Sequence, residues 1–220
     1  MTTVLVTGAS RGIGRELCRQ LLERGCTVIA GVRDPAQAPA GTEPLALDVT
    51  DGDSVAAAAE AVRQAHGFID GLVNNAAILL KDEDLDLLDL PEDLLLETLD
   101  TNALGPLRMA QAFAPLLRKG GRIVNVSSGG GQLSTPSDWS PAYCLSKTLL
   151  NGITAQLSVA LGPRGIGVNA VCPGWVRTDM GSPEAPRSVA EGAQGITWLC
   201  LDAPPTLTGK FLRDGKEIPW

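Results

Sequence analysis

Val4-Leu5-Val6-Thr7-Gly8-Ala9-Ser10-Arg11-Gly12-Ile13-Gly14 runs from a short β-branched segment straight into a glycine-rich turn, and helical periodicity follows over 12–24. A strand, a tight turn and a helix in that order make the opening unit of a doubly wound α/β fold. Gly8 and Gly12 permit the turn and a close approach of backbone to a ligand, and Gly14 lets the helix pack against the sheet. The helix start presents unpaired N–H groups and a positive dipole end, which together suit a pyrophosphate. Ser10 and Ile13 belong to the same turn and are expected to border the same phosphates.

Six more short apolar runs follow: Cys26-Thr-Val-Ile-Ala-Gly-Val, Pro44-Leu-Ala-Leu, Ile69-Asp-Gly-Leu-Val, Ile123-Val-Asn-Val, Gly167-Val-Asn-Ala-Val and Gly209-Lys-Phe-Leu. Helix-like stretches near 53–65, 92–118, 141–161 and 188–201 alternate with them. Such alternation predicts a seven-stranded parallel sheet with helices on both faces, a Rossmann-type fold. One crossover is thin: Asp34-Pro-Ala-Gln-Ala-Pro-Ala-Gly holds two prolines and has room for little more than a helical turn. Residues 81–100 are acidic and leucine-rich, and read as a solvated amphipathic entry into the helix after Pro91. No linker or repeat interrupts the chain, so residues 1–220 are expected to form one domain.

Composition narrows the function. Hydrophobic residues make up 44% and charged residues 20% of the 220, a globular balance. The formal charge is −7 and the pI about 4.7, with no Lys/Arg cluster, which argues against nucleic-acid and anionic-membrane partners. Five dispersed cysteines and a single histidine, His66, offer no metal set and read as reduced thiols. His66 closes a surface helix just before Gly67 and is expected to be solvated. The start of the chain lacks a basic leader and a long apolar run, so a soluble, cytoplasmic protein is expected.

Two features carry chemistry. The second strand ends in Val32-Arg33, where an acidic residue would suit a ribose 2′-hydroxyl and arginine suits a 2′-phosphate. Arg11 offers a second guanidinium to that phosphate, so NADP(H) is expected over NAD(H). Tyr143 and Lys147 lie four residues apart on one helix face, in Ser140-Pro-Ala-Tyr-Cys-Leu-Ser-Lys. An ammonium one turn away favours the phenolate, and this makes the phenol a usable proton donor or acceptor.

With both features in place, the chain resembles the short-chain dehydrogenase/reductase family in its shorter, non-extended branch. Thr7-Gly8-x-x-x-Gly12-x-Gly14 resembles the branch's cofactor motif. Asp48-Val49 resembles the pair that borders adenine, and Asn74-Asn75-Ala76-Ala77 its Asn-Asn-Ala-Gly, with Ala77 replacing the last glycine. Asn102 stands where the family's long helix carries a catalytic asparagine. Ile123-Val-Asn-Val-Ser-Ser resembles the active-site strand, with Ser128 a better match than Ser127 to the catalytic serine. Pro173-Gly174, followed by Val176 and Thr178, resembles the nicotinamide-contacting turn. The Cys172-Pro-Gly-Trp-Val-Arg-Thr-Asp-Met stretch and the last dozen residues are most similar to carbonyl-reductase-like members.

The resemblance implies an oxidoreductase in which Tyr143 donates a proton, Ser128 bonds the substrate oxygen, Lys147 holds the nicotinamide ribose and Asn102 anchors a water. It places Asn75, Ala76, Tyr143 and Lys147 beside the cofactor. For Asn102, satisfying local backbone groups is the alternative. Leu133, Trp139, Trp175 and Met180 flank these motifs and suggest a wall for small apolar or aromatic ketones and aldehydes. Two other functions stay open, an NAD-dependent alcohol dehydrogenase and a non-catalytic NADP(H)-binding regulatory protein, as does monomer against homo-oligomer.

Overall fold

Every residue of the first strand, β1 (Thr3–Thr7), is buried, so the sheet must be covered on both sides. The computed structural model describes residues 2–80 and 85–220, so the part of the acidic segment at 81–84 lies outside the described residues. Beyond β1 come β2 (Thr27–Val32), β3 (Glu43–Ala46), β4 (Ile69–Asn74), β5 (Leu117–Val126), β6 (Gly167–Val171), β7 (Phe211–Arg213) and β8 (Lys216–Glu217). They form one sheet in the order β3-β2-β1-β4-β5-β6-β7-β8. The first seven are parallel throughout, as the alternating pattern predicts.

The helices are α1 (Gly12–Glu23), α2 (Gly52–His66), α3 (Glu92–Leu99), α4 (Gly105–Phe113), α5 (Pro141–Leu161) and α6 (Val189–Leu201). Side chains alternate across a strand, so Val4 and Val6 join one core with Leu17 and Leu21 of α1 and Ile196 of α6. Leu5 points the other way, into a second core with Val55 and Val62 of α2 and Met109 and Phe113 of α4. Each such fully buried side chain contributes roughly 1.5–3 kcal/mol by leaving water.

Two expectations need correction, and one short strand is added to the seven expected. The helix expected over 92–118 is broken, with a π turn at Asp100–Leu104 between α3 and α4 and a 3₁₀ turn at Ala114–Leu116. Pro106 has no N–H to return to Asn102 four residues back, which disrupts the α ladder, and wider bonding takes over. Strand β5 then starts at Leu117, six residues before its apolar run, and its pairing with β4 shifts register between Ile69 and Gly71. An eighth strand also appears: Asp214 (φ +51) and Gly215 (φ +73) make a two-residue hairpin turn that folds β8 antiparallel onto β7. Finally, His66 is not simply solvated, because its Nε2 lies 2.8 Å from Glu43 Oε2 on β3.

The thin crossover holds a single 3₁₀ turn, Pro35–Gln37, capped by Asp34. All five cysteines are buried, and no disulfide joins them. No helix among the described residues is long and apolar enough to cross a membrane.

Candidate active site

Parallel strands end on the same edge of the sheet, and the order turns back on itself between β1 and β4, where a crevice must open. A cleft of about 1090 Å³ lies there. Every residue expected to touch the cofactor lines it, from Gly8, Ser10, Arg11, Gly12, Ile13 and Gly14 through Arg33, Asp48, Val49, Asn75 and Ala76 to Pro173, Gly174, Val176 and Thr178.

The glycine turn is held by a hydrogen-bonded clamp. Thr7 Oγ1 accepts from the Asn75 and Ala76 N–H groups, each at 3.0 Å, while Asn75 Nδ2 donates to the Thr7 and Gly8 carbonyls at 3.0 and 3.1 Å. Gly8 has φ +64, and a Cβ there would stand 2.8 Å from Ala76 Cα. A Cβ on Gly14 would drive into the Gly8 carbonyl oxygen and lie 2.5 Å from Asn75 Nδ2. Asn75 is thus spent on backbone, which frees the helix end for a ligand: no side chain caps the N-terminus of α1. Gly12, at φ +52, would carry a Cβ in ordinary contact with Thr178 Cγ2 at 3.5 Å, so its bare backbone borders the open cleft. Uncapped N–H groups, bare glycine and flanking arginines fit a dinucleotide phosphate.

At that end Asp48 Oδ1 accepts from the Thr50 hydroxyl (2.7 Å) and N–H (2.9 Å), which, with the Arg33 charge, holds its carboxyl below the usual range. Asp34 turns away to bond Ala36 N at 3.0 Å, and Arg33 makes no ion pair among the described residues. Arg11 pairs with Asp179 across the cleft mouth at 2.9 Å, both side chains well exposed.

Ser128, Tyr143 and Lys147 meet at the opposite end. Neighbouring Ser127 and Ser128 face opposite ways: Ser127 is buried and donates to Asn151 Oδ1 at 2.7 Å, whereas Ser128 lines the cleft near enough to the Tyr143 phenol to favour its phenolate. Because the Gly130 N–H donates to Ser128 Oγ at 3.1 Å, the serine's own proton is available to the phenol. A buried thread from Asn74 Nδ2 to Asn125 Oδ1 and from Asn125 Nδ2 to Thr154 Oγ1, 2.8 Å each, fixes α5 against β4 and β5.

Lys147 Nζ donates to the Val126 carbonyl at 2.8 Å and sits 5.5 Å from the Tyr143 ring centre. The net shift of the phenol runs opposite to the lowering expected from the ammonium. Burial dominates and raises Tyr143, the Ser128 hydrogen bond only partly offsetting it. Burial also pulls Lys147 down to about 8.

Asn102 is set apart. Fully buried in the π turn, it donates to the Ile78 carbonyl (2.8 Å) and Ser146 Oγ (3.1 Å), while its Oδ1 accepts the Ile78 N–H (2.8 Å). Its side chain is held by the Ile78 backbone and by Ser146, and the water-anchoring role expected of Asn102 is a separate matter from these bonds. Trp139, Trp175 and Met180 line the cleft beside the chemistry, with the Trp139 and Tyr143 rings 5.6 Å apart, but Leu133 is exposed outside it. The sequence reading missed Asp179, Cys172 and Arg213 as lining residues. Alternation beyond Phe211-Leu212 was the available signal for Arg213.

Residues 2–188 match the family profile described as short chain dehydrogenase. Carbonyl reductase (NADPH) 1 of Oryctolagus cuniculus is 32% identical, covering 98% of this chain and 97% of the relative. The carbonyl reductase Sniffer of D. melanogaster superposes with a TM-score of 0.92 at 28% identity, covering 100% of both chains. The NADPH-bound carbonyl reductase from chicken fatty liver gives 0.88 at 29% identity, over 100% of this chain and 99% of that one.

Proposed function

The chain belongs to the short-chain dehydrogenase family, and on that premise we propose that it is an NADPH-dependent carbonyl reductase. Its substrates are small apolar or aromatic ketones and aldehydes. The observation that carries this reading is a single cleft with an arginine-flanked glycine turn at one end and Ser128, Tyr143 and Lys147 at the other. Relatives named as NADPH carbonyl reductases support it along the whole chain. Residues 1–220 act as one domain, and five buried thiols suit a reducing cytoplasm.

Bound NADPH supplies the hydride. Gly8, Ser10, Gly12, Ile13 and the uncapped start of α1 hold the pyrophosphate, with Thr178 across the cleft. Arg11 and Arg33 take the 2′-phosphate as bidentate donors, and Asp48 and Val49 border the adenine. Pro173, Gly174 and Val176 bound the nicotinamide pocket. Tyr143, kept protonated by burial, gives its proton to the carbonyl oxygen. Ser128 donates to the same oxygen and steadies the developing negative charge. Lys147 binds the ribose hydroxyls, and its ammonium stabilises the phenolate left behind. Trp139, Trp175 and Met180 give the substrate an apolar wall.

Loss of NADPH absorbance with a panel of aromatic and aliphatic carbonyls tests the proposal. Tyr143→Phe should reduce kcat by a factor of ~10²–10⁴ while still binding NADPH. Turnover by the phenylalanine variant equal to wild type, or none by the wild type, would sink it.

A further inference from the structure

Arg213 is a cation in the cleft that the hydride-transfer reading leaves without a task. In the sheet register Ala170 faces Phe211 and Val171 faces Leu212, so the next step along the edge brings Cys172 beside Arg213. Arg213 Nη2 donates to the Cys172 thiol at 3.1 Å. A cysteine sulfur is a weak acceptor, and among the described residues Nε of the same guanidinium is buried with no hydrogen-bond partner. The adjacent carboxylate, Asp214, is engaged elsewhere: both its oxygens accept from Arg187. Among the described residues the guanidinium thus makes no ion pair, although the Asp214 charge reaches it, and it lines the cleft with hydrogen-bonding capacity that an arriving anion would use.

Its position says which anion. Nη2 lies 2.8 Å from where a Cβ of Gly129 would stand, so it reaches the residue next to Ser128. Cys172 lines the same cleft as Ser128, Tyr143 and Lys147. The guanidinium therefore belongs to the substrate end of the cleft, remote from the glycine turn and Arg33. We infer that Arg213 is a specificity residue that binds a carboxylate on the substrate, so that the preferred carbonyl compounds are oxo acids. This rests on the carbonyl reductase reading and narrows its substrate class. The aromatic and apolar wall then packs the carbon skeleton while Arg213 fixes one end, presenting the carbonyl to Ser128 and Tyr143.

A matched pair, 4-oxopentanoate and its methyl ester, isolates the charge. Wild type should show a kcat/KM at least tenfold higher for the acid, and Arg213→Gln should lower the acid-to-ester ratio at least tenfold, with Arg213→Lys in between. An unmoved ratio, or acid and ester weakened alike, would overturn the inference. Quenching of tryptophan emission by 4-oxopentanoate gives a second readout independent of turnover, and it should weaken in Arg213→Gln but survive in Arg213→Lys. If no carbonyl is reduced by wild type, the reductase reading fails and this binding arm alone decides Arg213: equal quenching of wild type and Arg213→Gln would overturn it.

Discussion

Replacing Gly14 and Gly12 in turn by alanine separates packing of the turn from access to it. At Gly14 the new methyl meets backbone, pressing on the Gly8 carbonyl oxygen and standing 3.0 Å from its carbon. Overpacking against atoms that cannot move aside costs ~1–3 kcal/mol. Displacing Asn75 Nδ2, 2.5 Å away, also costs its bonds to Thr7 and Gly8, at ~1 kcal/mol each. The sum, ~3–5 kcal/mol, corresponds to a fall in Tm of roughly 6–20 °C for a domain of this size. At Gly12 the methyl finds only Thr178 Cγ2, at 3.5 Å. Its left-handed φ of +52 costs ~1–2 kcal/mol, offset in part by the stiffer unfolded chain, so Tm should fall by no more than ~4 °C. Yet the Gly12 methyl occupies the face offered to the pyrophosphate, and NADPH affinity should fall at least ~10-fold. Calorimetry and fluorescence titration of both variants read the two effects apart. A Gly14→Ala protein melting within about 2 °C of wild type would refute the claim that backbone contact selects this glycine.

Arg33→Ala should weaken NADPH binding by about 10–100-fold and leave NADH binding nearly unaltered; equal losses for both cofactors in titrations would remove the 2′-phosphate role. Asn102→Ala strips partners from the Ile78 N–H and carbonyl and should cost ~2–4 kcal/mol in urea unfolding, and a cost below ~1 kcal/mol would argue against its structural role. Lys147 has a folded-state pKa near 8, below its unfolded value of ~10.4, so its charge opposes folding below pH 8 and the penalty fades as pH rises through that window. Relative to Lys147→Met, wild type should therefore gain stability from pH 7.5 to about 9.5, and a gap that stays constant in thermal melts would contradict the buried charge.

The parts of the site legible in sequence were those whose chemistry is local. Thr7 to Gly14 states its turn in glycine spacing, and Tyr143 with Lys147 states a shared helix face in four residues. The break in the 92–118 helix was written in Gly105-Pro106, and the last hairpin in Asp214-Gly215, but leucine periodicity and a strong parallel pattern outweighed both. What no local pattern carried was the result of packing. The direction of the Tyr143 shift depends on how deeply the phenol is buried once α5 packs onto the sheet. Asn102 carries no local sign that Ile78 and Ser146 use its amide. Arg213 is adjacent to the active site only because β7 lies in register beside β6.

The strand order also sets a timetable for a chain made from its amino end. The turn at 8–14, Arg33 and Asp48 all precede residue 80, whereas Ser128, Tyr143, Lys147 and the 173–178 turn follow residue 125. The join between the two groups is β4 beside β5, and β5 must itself be flanked by β6 and α5 before the far wall stands. A nascent chain can shape the phosphate end early, but it cannot close the cleft until most of its length has left the ribosome. Cofactor capture then waits until β5, β6 and α5 are in place, so the ligand adds its binding energy to an assembled cleft rather than to a half-built one.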